Sequence, residues 1–250
     1  MMNSLYTPYK ELSAREKFRV GSEILNAQAQ IIFSKKFWWF VAGVLLYVVV
    51  SYFINYNQQL NDRLTQRGIL VVLVEIPLLV LTIFLNMQLV GAEKDSRTLE
   101  LLFTMSGSRY KVWLLRLGTI NGLLFGFAIL LSLVAFFAFA ETEILATALV
   151  GAVPGFVIGA LTFYLSIKFR SSFGAAMVSA LITVLLLMFY EALESTKYNL
   201  FFNPWDTPHQ VDPQTWRLWM WQNRVALFLI GVLLQFFGLR GLERRERLLG

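Results

Sequence analysis

The chain has 250 residues, 57% hydrophobic and 15% charged, with a formal net charge of +6, one His and no Cys. A soluble domain carries about 25% charged residues, so the composition points to apolar spans joined by charged loops rather than to a water-excluding soluble core. Without Cys there are no disulfides, thiolate metal sites or Cys nucleophiles, and the lone His209 excludes a His-rich metal centre. The positive charge is assigned to membrane-proximal loops and not to nucleic acid, because no basic stripe lies on a polar domain.

The first 36 residues are polar and charged, so no cleavable leader is expected and the first span acts as its own insertion signal. Residues 11–36 contain no Pro and one Gly, and intersperse Phe18, Val20, Ile24, Leu25, Ile31, Ile32 and Phe33 with charges. That pattern predicts an amphipathic helix along the inner leaflet, its basic residues towards anionic lipid. A solvated leader is the plainer alternative.

Six apolar stretches follow, at 37–54, 69–90, 117–140, 144–167, 173–190 and 225–239. The last is short against the roughly 20 residues a span needs. With both ends cytoplasmic, 17 of the 22 Lys and Arg fall on the cytoplasmic side, leaving Arg63, Arg67, Lys197, Arg217 and Arg224 outside. Inserted proteins show this asymmetry. The expected architecture is all-α: a polytopic protein of the cell membrane with six transmembrane helices in a single transmembrane domain, residues 1–250.

The second stretch holds Glu75, the one plainly intramembrane carboxylate, two residues before Pro77. A charge there is costly unless paired or neutral. Glu75 is therefore either a functional carboxylate or a structural one that reaches the surface or bonds a neighbouring helix. In the third stretch Gly118, Gly122 and Gly126 lie four apart, and in the fourth Gly151, Gly155 and Gly159 do the same. Residues four apart share a helix face, and small ones let backbones approach closely in lipid. The stripes predict tight packing of these two spans within one protomer, with a dimer seam as the alternative. Residues 191–224, on the outer side, carry Pro204, Pro208, Pro213 and seven Trp, Tyr and Phe residues. They read as interfacial or re-entrant helices at the outer mouth, serving as an aromatic anchoring belt or as a substrate contact.

The loop after the second stretch carries the most information. It runs Gly91-Ala92-Glu93-Lys94-Asp95-Ser96-Arg97-Thr98-Leu99-Glu100-Leu101-Leu102-Phe103-Thr104, then Met105-Ser106-Gly107-Ser108-Arg109-Tyr110-Lys111. Leu99, Leu102 and Phe103 share one side of a two-turn helix that Ser96 starts. This segment resembles the ABC-2 type permeases, the membrane subunits of a class of ABC exporters. Their loop after the second span reads roughly Glu, polar or basic residues, Gly-Thr-Leu-Glu, Leu-Leu, Thr-Pro-x-Ser-Arg, and a basic residue at the next span. Glu93, Thr98, Leu99, Glu100, Leu101, Leu102, Ser108, Arg109 and Arg116 follow that order, whereas Arg97 stands where the family often has Gly and Ser106 where it often has Pro.

The resemblance implies a permease subunit, a homodimer or half of a heterodimer, working outward with a separate ABC ATPase subunit. The coupling helix at 95–104, with Arg97, Thr98, Leu99, Glu100, Leu102 and Phe103, is expected to sit in a cleft of that ATPase. No G-x-x-x-x-G-K-[ST] loop occurs, so the chain is expected to be no enzyme itself and to hold no cofactor, with ATP and Mg bound by the partner. Two other classes were weighed. An intramembrane enzyme needs polar catalytic groups in the spans, and no second carboxylate or metal-ligand pair accompanies Glu75. A secondary transporter needs ionisable groups near midplane and broken helices in paired halves. Glu75-Ile76-Pro77 is one such break, with no counterpart evident in the sequence.

The absence of Cys makes the orientation testable with single reporters. Ser195→Cys is expected to react with an impermeant thiol reagent on intact cells, and Ser108→Cys only after permeabilisation. The reverse pattern overturns the orientation.

Overall fold

The computed structural model describes residues 35–57, 66–96, 109–169, 171–193, 196–205, 207–208 and 211–246, and among these every regular element is helical. In chain order they are α1 (Lys35–Asn57), α2 (Gln66–Ile69), a π-helical segment (Leu70–Glu75), α3 (Ile76–Ser96), α4 (Arg109–Ala138), α5 (Ile144–Phe169), α6 (Ser172–Met188), α7 (Tyr190–Leu193) and α8 (Pro213–Glu246). Five stretches are long and apolar enough to cross a membrane: Phe37–Asn57, Leu70–Gly91, Trp113–Ala138, Ile144–Phe169 and Pro213–Leu242. The amphipathic helix expected over 11–36 lies outside the described residues except for Lys35 and Lys36, which open α1. Of the expected coupling helix, only Asp95 and Ser96 are described, as the end of α3.

α5 is the hub, packing against α8, α3, α4, α6 and the π segment. Its small residues make that position possible. A Cβ on Gly151 would lie 2.7 Å from Val74 Cγ1, one on Gly155 would lie 3.3 Å from Leu124 Cδ1 of α4 and 3.7 Å from Leu78 Cβ, and one on Gly159 would meet Thr82 Oγ1 and Asn86 Nδ2. The residue numbers rise together, so α5 runs parallel to the second span with almost no side chain between the backbones. The relation to α8 has the same sense. Phe156 fills the space beside Gly231 and Phe163 that beside Gly238, while Ile167 lies against Gly241. Two hydroxyls buried on α5 are satisfied within the helix, Thr162 donating to the Ile158 carbonyl and Ser166 to the Thr162 carbonyl, whereas Thr147 Oγ1 has no partner among the described residues.

The other glycine stripe departs from expectation. Around Gly118, Gly122 and Gly126 an added Cβ would meet nothing within 4 Å. They lie on the exposed face of α4 together with Leu114, Leu130 and Val134. Packing within the protomer therefore uses the α5 stripe against the second span, and not the two stripes against each other.

The last two expected spans also change. α6 has 17 residues, about 25 Å of helix at 1.5 Å per residue, short of a hydrocarbon core of about 30 Å. Six spans are thus reduced to five of full length and one short apolar helix. The final helix, expected at 225–239 and thought the weakest, is instead the longest, with 34 residues. It starts twelve residues early because Asp212 caps it, its Oδ2 accepting from the Gln214 and Thr215 amides, with Pro213 at the first helical position.

The two stripes give opposite expectations for one substitution. Gly159→Ala is expected to lower the melting temperature of the purified protein, at a cost of about 1–3 kcal/mol. Gly122→Ala should leave it unchanged or stabilise by up to about 1 kcal/mol, because a helical glycine in open space gains from a methyl. Equal losses at both positions would contradict this packing.

Candidate functional site

The site starts from a fault in the second span. Pro77 has no N–H, so the helix ladder is short of a donor there. Just before it the chain widens into the π segment, and the Ile76 amide reaches back to the Val71 carbonyl. Such wide turns recur at functional positions. The neighbouring Val72 carbonyl accepts the Tyr47 hydroxyl of α1 at 2.9 Å. Glu75 ends the π segment with no exposed surface, and neither of its carboxylate oxygens meets a hydrogen-bond donor among the described residues. It therefore does not snorkel to a surface.

After α6 and α7 comes a loop, 196–205, within the range 191–224 expected outside the spans. Ser172 of α6 lies against Gly91 of α3. From Gly91 back to Glu75 is about 24 Å of helix, close to the full length of α6. α6 therefore ends near the level of Glu75. Its last turn confirms this level: Leu186, Leu187 and Tyr190 pack around Leu79, Val157, Ile158, Leu200 and Phe201. The chain then continues through residues 196–205, and Leu200 and Phe201 pack against Leu79 of α3 and Val157 and Ile158 of α5. Interfacial or re-entrant helices were expected at 191–224; among the described residues, 196–205 is non-helical, and α8 begins at Pro213.

Irregular backbone at membrane depth persists only where protein donors replace water. Here they come largely from one face of α8. Asn223 Nδ2 donates to the Lys197 and Asn199 carbonyls, both at 2.9 Å. Arg224 Nη2 donates to the Phe202 carbonyl at 2.6 Å, and the Trp216 indole to the Asn203 carbonyl at 3.2 Å while its ring stacks on Phe202 at 4.2 Å. The loop adds its own turns: Asn199 Oδ1 accepts from the Phe201 amide and Asn203 Oδ1 from the Trp205 amide.

Arg224 joins the two halves of the site. Its charge and that of Glu75 act on one another, yet no hydrogen bond links them. Nε and Nη1 of Arg224 are buried without acceptors, and Asn203 Nδ2 and Asn223 Oδ1 are likewise buried and unpaired. Glu75 and Arg224 thus both hold buried polar atoms without hydrogen-bond partners among the described residues, one beside the broken span and the other beside the 196–205 loop.

The sequence singled out Glu75 and the fourth-span glycines, and the structure puts them on adjoining helices, with Gly151 against Val74. Gly118, Gly122 and Gly126 are turned away from this site. Arg97, Thr98, Leu99, Glu100, Leu102 and Phe103 lie outside the described residues. Arg224 was assigned to the outer loop; the structure places it inside the candidate span Pro213–Leu242. The roles of Asn199, Asn203, Asn223 and Arg224 were missed. The one available signal was the amide and guanidinium groups sitting beside long apolar runs.

No protein-family model matches the chain, nor does a curated protein or a solved structure.

Removing one clamp tests the loop's attachment. Asn223→Leu leaves the Lys197 and Asn199 carbonyls without donors, a cost of about 1–3 kcal/mol for each. Hydrogen–deuterium exchange of peptides covering 196–205 is expected to accelerate, with exchange in α5 unchanged. Unaltered exchange in the loop would show that apolar packing alone holds it.

Proposed function

We propose that this chain is the permease subunit of an ATP-binding cassette transporter of the cell membrane, an exporter by resemblance, driven by a separate ATPase subunit that binds ATP and Mg. The observation that carries the reading is the order Glu93, Thr98, Leu99, Glu100, Leu101, Leu102, Ser108, Arg109 and Arg116 in the stretch that leaves the end of α3 and leads into α4. Five membrane-length apolar helices support it. At helical spacing Leu99, Leu102 and Phe103 form one apolar face, which gains nothing in water. Docked in a groove of the ATPase, each contributes about 1.5–3 kcal/mol. Arg97 and Glu100, three apart, pair with each other or with charges on the groove's rim, worth up to about 1 kcal/mol. A second permease copy completes the assembly, and the open stripe Gly118, Gly122 and Gly126 is the surface suited to close helix approach. Both chain ends are cytoplasmic in this reading.

One observation favours a second reading, a secondary transporter. The second span is broken at a buried carboxylate, and α6 with its re-entrant loop supplies a second interruption at the same depth.

The ranking of side chains separates the two. Leu102→Ala or Phe103→Ala is expected to reduce the ATPase recovered with the detergent-solubilised chain several-fold, and Glu100→Gln less. The double variant Leu102→Asp, Phe103→Asp should abolish recovery and transport while membrane insertion stays normal. A double variant that transports as wild type, in vesicles free of any ATPase, rejects the permease reading and leaves the second.

A further inference from the structure

The break in the second span leaves one carbonyl to account for. The Ile76 amide passes over Val72 and bonds the Val71 carbonyl. The next donor along the ladder would come from residue 77, a Pro with no N–H. The Val72 carbonyl therefore receives nothing from its own helix. It accepts the Tyr47 hydroxyl of α1 instead, at 2.9 Å, an ordinary hydrogen-bond length. The pairs Phe40–Phe84, whose rings stack with centroids 5.6 Å apart, and Tyr47–Val72 occur in opposite order along the two helices, so α1 runs antiparallel to the second span. Much of α1 faces outward, with Trp38, Trp39, Leu46 and Phe53 exposed. Its ring contacts lie towards its ends, Phe40 on Phe84 and Tyr52 on Phe139 just past α4. Tyr47 stands between them and grips the backbone three residues before Glu75.

We propose that Tyr47 is the positioning residue of the broken span: its hydroxyl supplies from α1 the hydrogen bond that Pro77 cannot give, and so holds the π turn and Glu75 in place. A proline in a membrane helix needs a donor from elsewhere, because no water reaches a carbonyl in hydrocarbon. With the bond made, the turn is closed and Glu75 has no exposed surface. With it broken, the Val72 carbonyl has no donor, the turn between Val71 and Pro77 loosens, and Glu75 loosens with it. A lightly seated outer helix thereby controls a group in the interior: a shift of α1 away from the second span breaks the bond and unseats Glu75. The role is the same under either transport reading.

Glu75 itself reports on the turn, without any transport assay. A hydrophobic fluorescent carbodiimide reacts with carboxyl groups inside a bilayer, and Glu75, fully buried, is reached only when the turn opens. Label on Glu75 is measured in proteoliposomes after digestion, with Glu75→Gln as the blank. Tyr47→Phe keeps the ring and removes the hydroxyl. It is expected to raise the labelling rate about tenfold, because an orphaned buried carbonyl favours the open turn. Tyr52→Phe removes a hydroxyl from the same helix more than one turn away and should leave the rate unchanged. Pro77→Ala restores an amide at the next rung of the ladder, so in that background Tyr47→Phe should change the rate by less than about twofold. A hydroxyl that merely stabilised the fold would act equally in both backgrounds. The proposal is overturned if Tyr47→Phe slows labelling or leaves it unchanged in the Pro77 protein, or raises it by the same factor in the Pro77→Ala protein. Should Pro77→Ala fail to fold, the comparison of Tyr47→Phe and Tyr52→Phe with the parent still decides: equal rates in all three overturn it.

Discussion

A buried carbonyl without a donor costs about 1–3 kcal/mol, and the non-helical residues 196–205 have no helix or strand ladder to satisfy theirs. The form of the C-terminal half follows from meeting that cost. α8 must begin at Pro213, before the apolar run proper, so that Trp216, Asn223 and Arg224 stand on one face at the height of the loop. α6 must end early to leave the loop room, and the Tyr190 carbonyl past its end accepts from Asn199 Nδ2, a longer bond at 3.4 Å. Phe201 and Phe202 contribute the apolar part, both fully buried. The amides fix where the loop sits; the aromatic rings make leaving it unfavourable.

The glycine face of α5 sets the other dimension. With Gly151, Gly155 and Gly159 against the second span and Phe156, Phe163 and Ile167 against the glycines of α8, three helices lie parallel and in fixed register. A bulkier face on α5 would push away both the second span, which carries Glu75, and α8, which carries Arg224. The same close approach lets Thr82 and Asn86 be buried, Asn86 Nδ2 donating to the Thr82 carbonyl at 2.9 Å. Polar groups thus line the contact at two depths, with different degrees of satisfaction.

How much of this was legible depended on whether the signal was composition or direction. Lipid imposes length and apolarity, so the first four spans could be placed within a few residues. The final helix was started at Val225 because Gln222, Asn223 and Arg224 read as loop. Their polarity is real, but Asn223 and Arg224 point it inwards, at carbonyls, and hydropathy carries no direction. The fifth stretch, expected at 173–190, is found at Ser172–Met188, its bounds legible because its apolar run is clearly delimited in the sequence. The two glycine stripes have the same spacing and different surroundings, which spacing alone does not distinguish. Glu75 stood out because a carboxylate is rare in such a segment. Arg224 did not, being assigned to a loop.

Buried polar atoms without partners, as on Glu75 and Arg224 among the described residues, are a poor solution if stability is the only aim. They lie beside two irregular stretches of backbone, the π turn and the 196–205 loop. From the π turn, α3 runs as one uninterrupted helix of 21 residues, about 31 Å long, to Ser96. There the Thr98-Leu99-Glu100 stretch begins. On the permease reading, α3 is a rigid rod with the ATPase contact at one end and Glu75 at the other, keyed to α5 midway by Thr82, Asn86 and Gly159. On that reading a push at Ser96 would be carried along the rod to where the ladder is already broken, between Val71 and Pro77, beside Glu75.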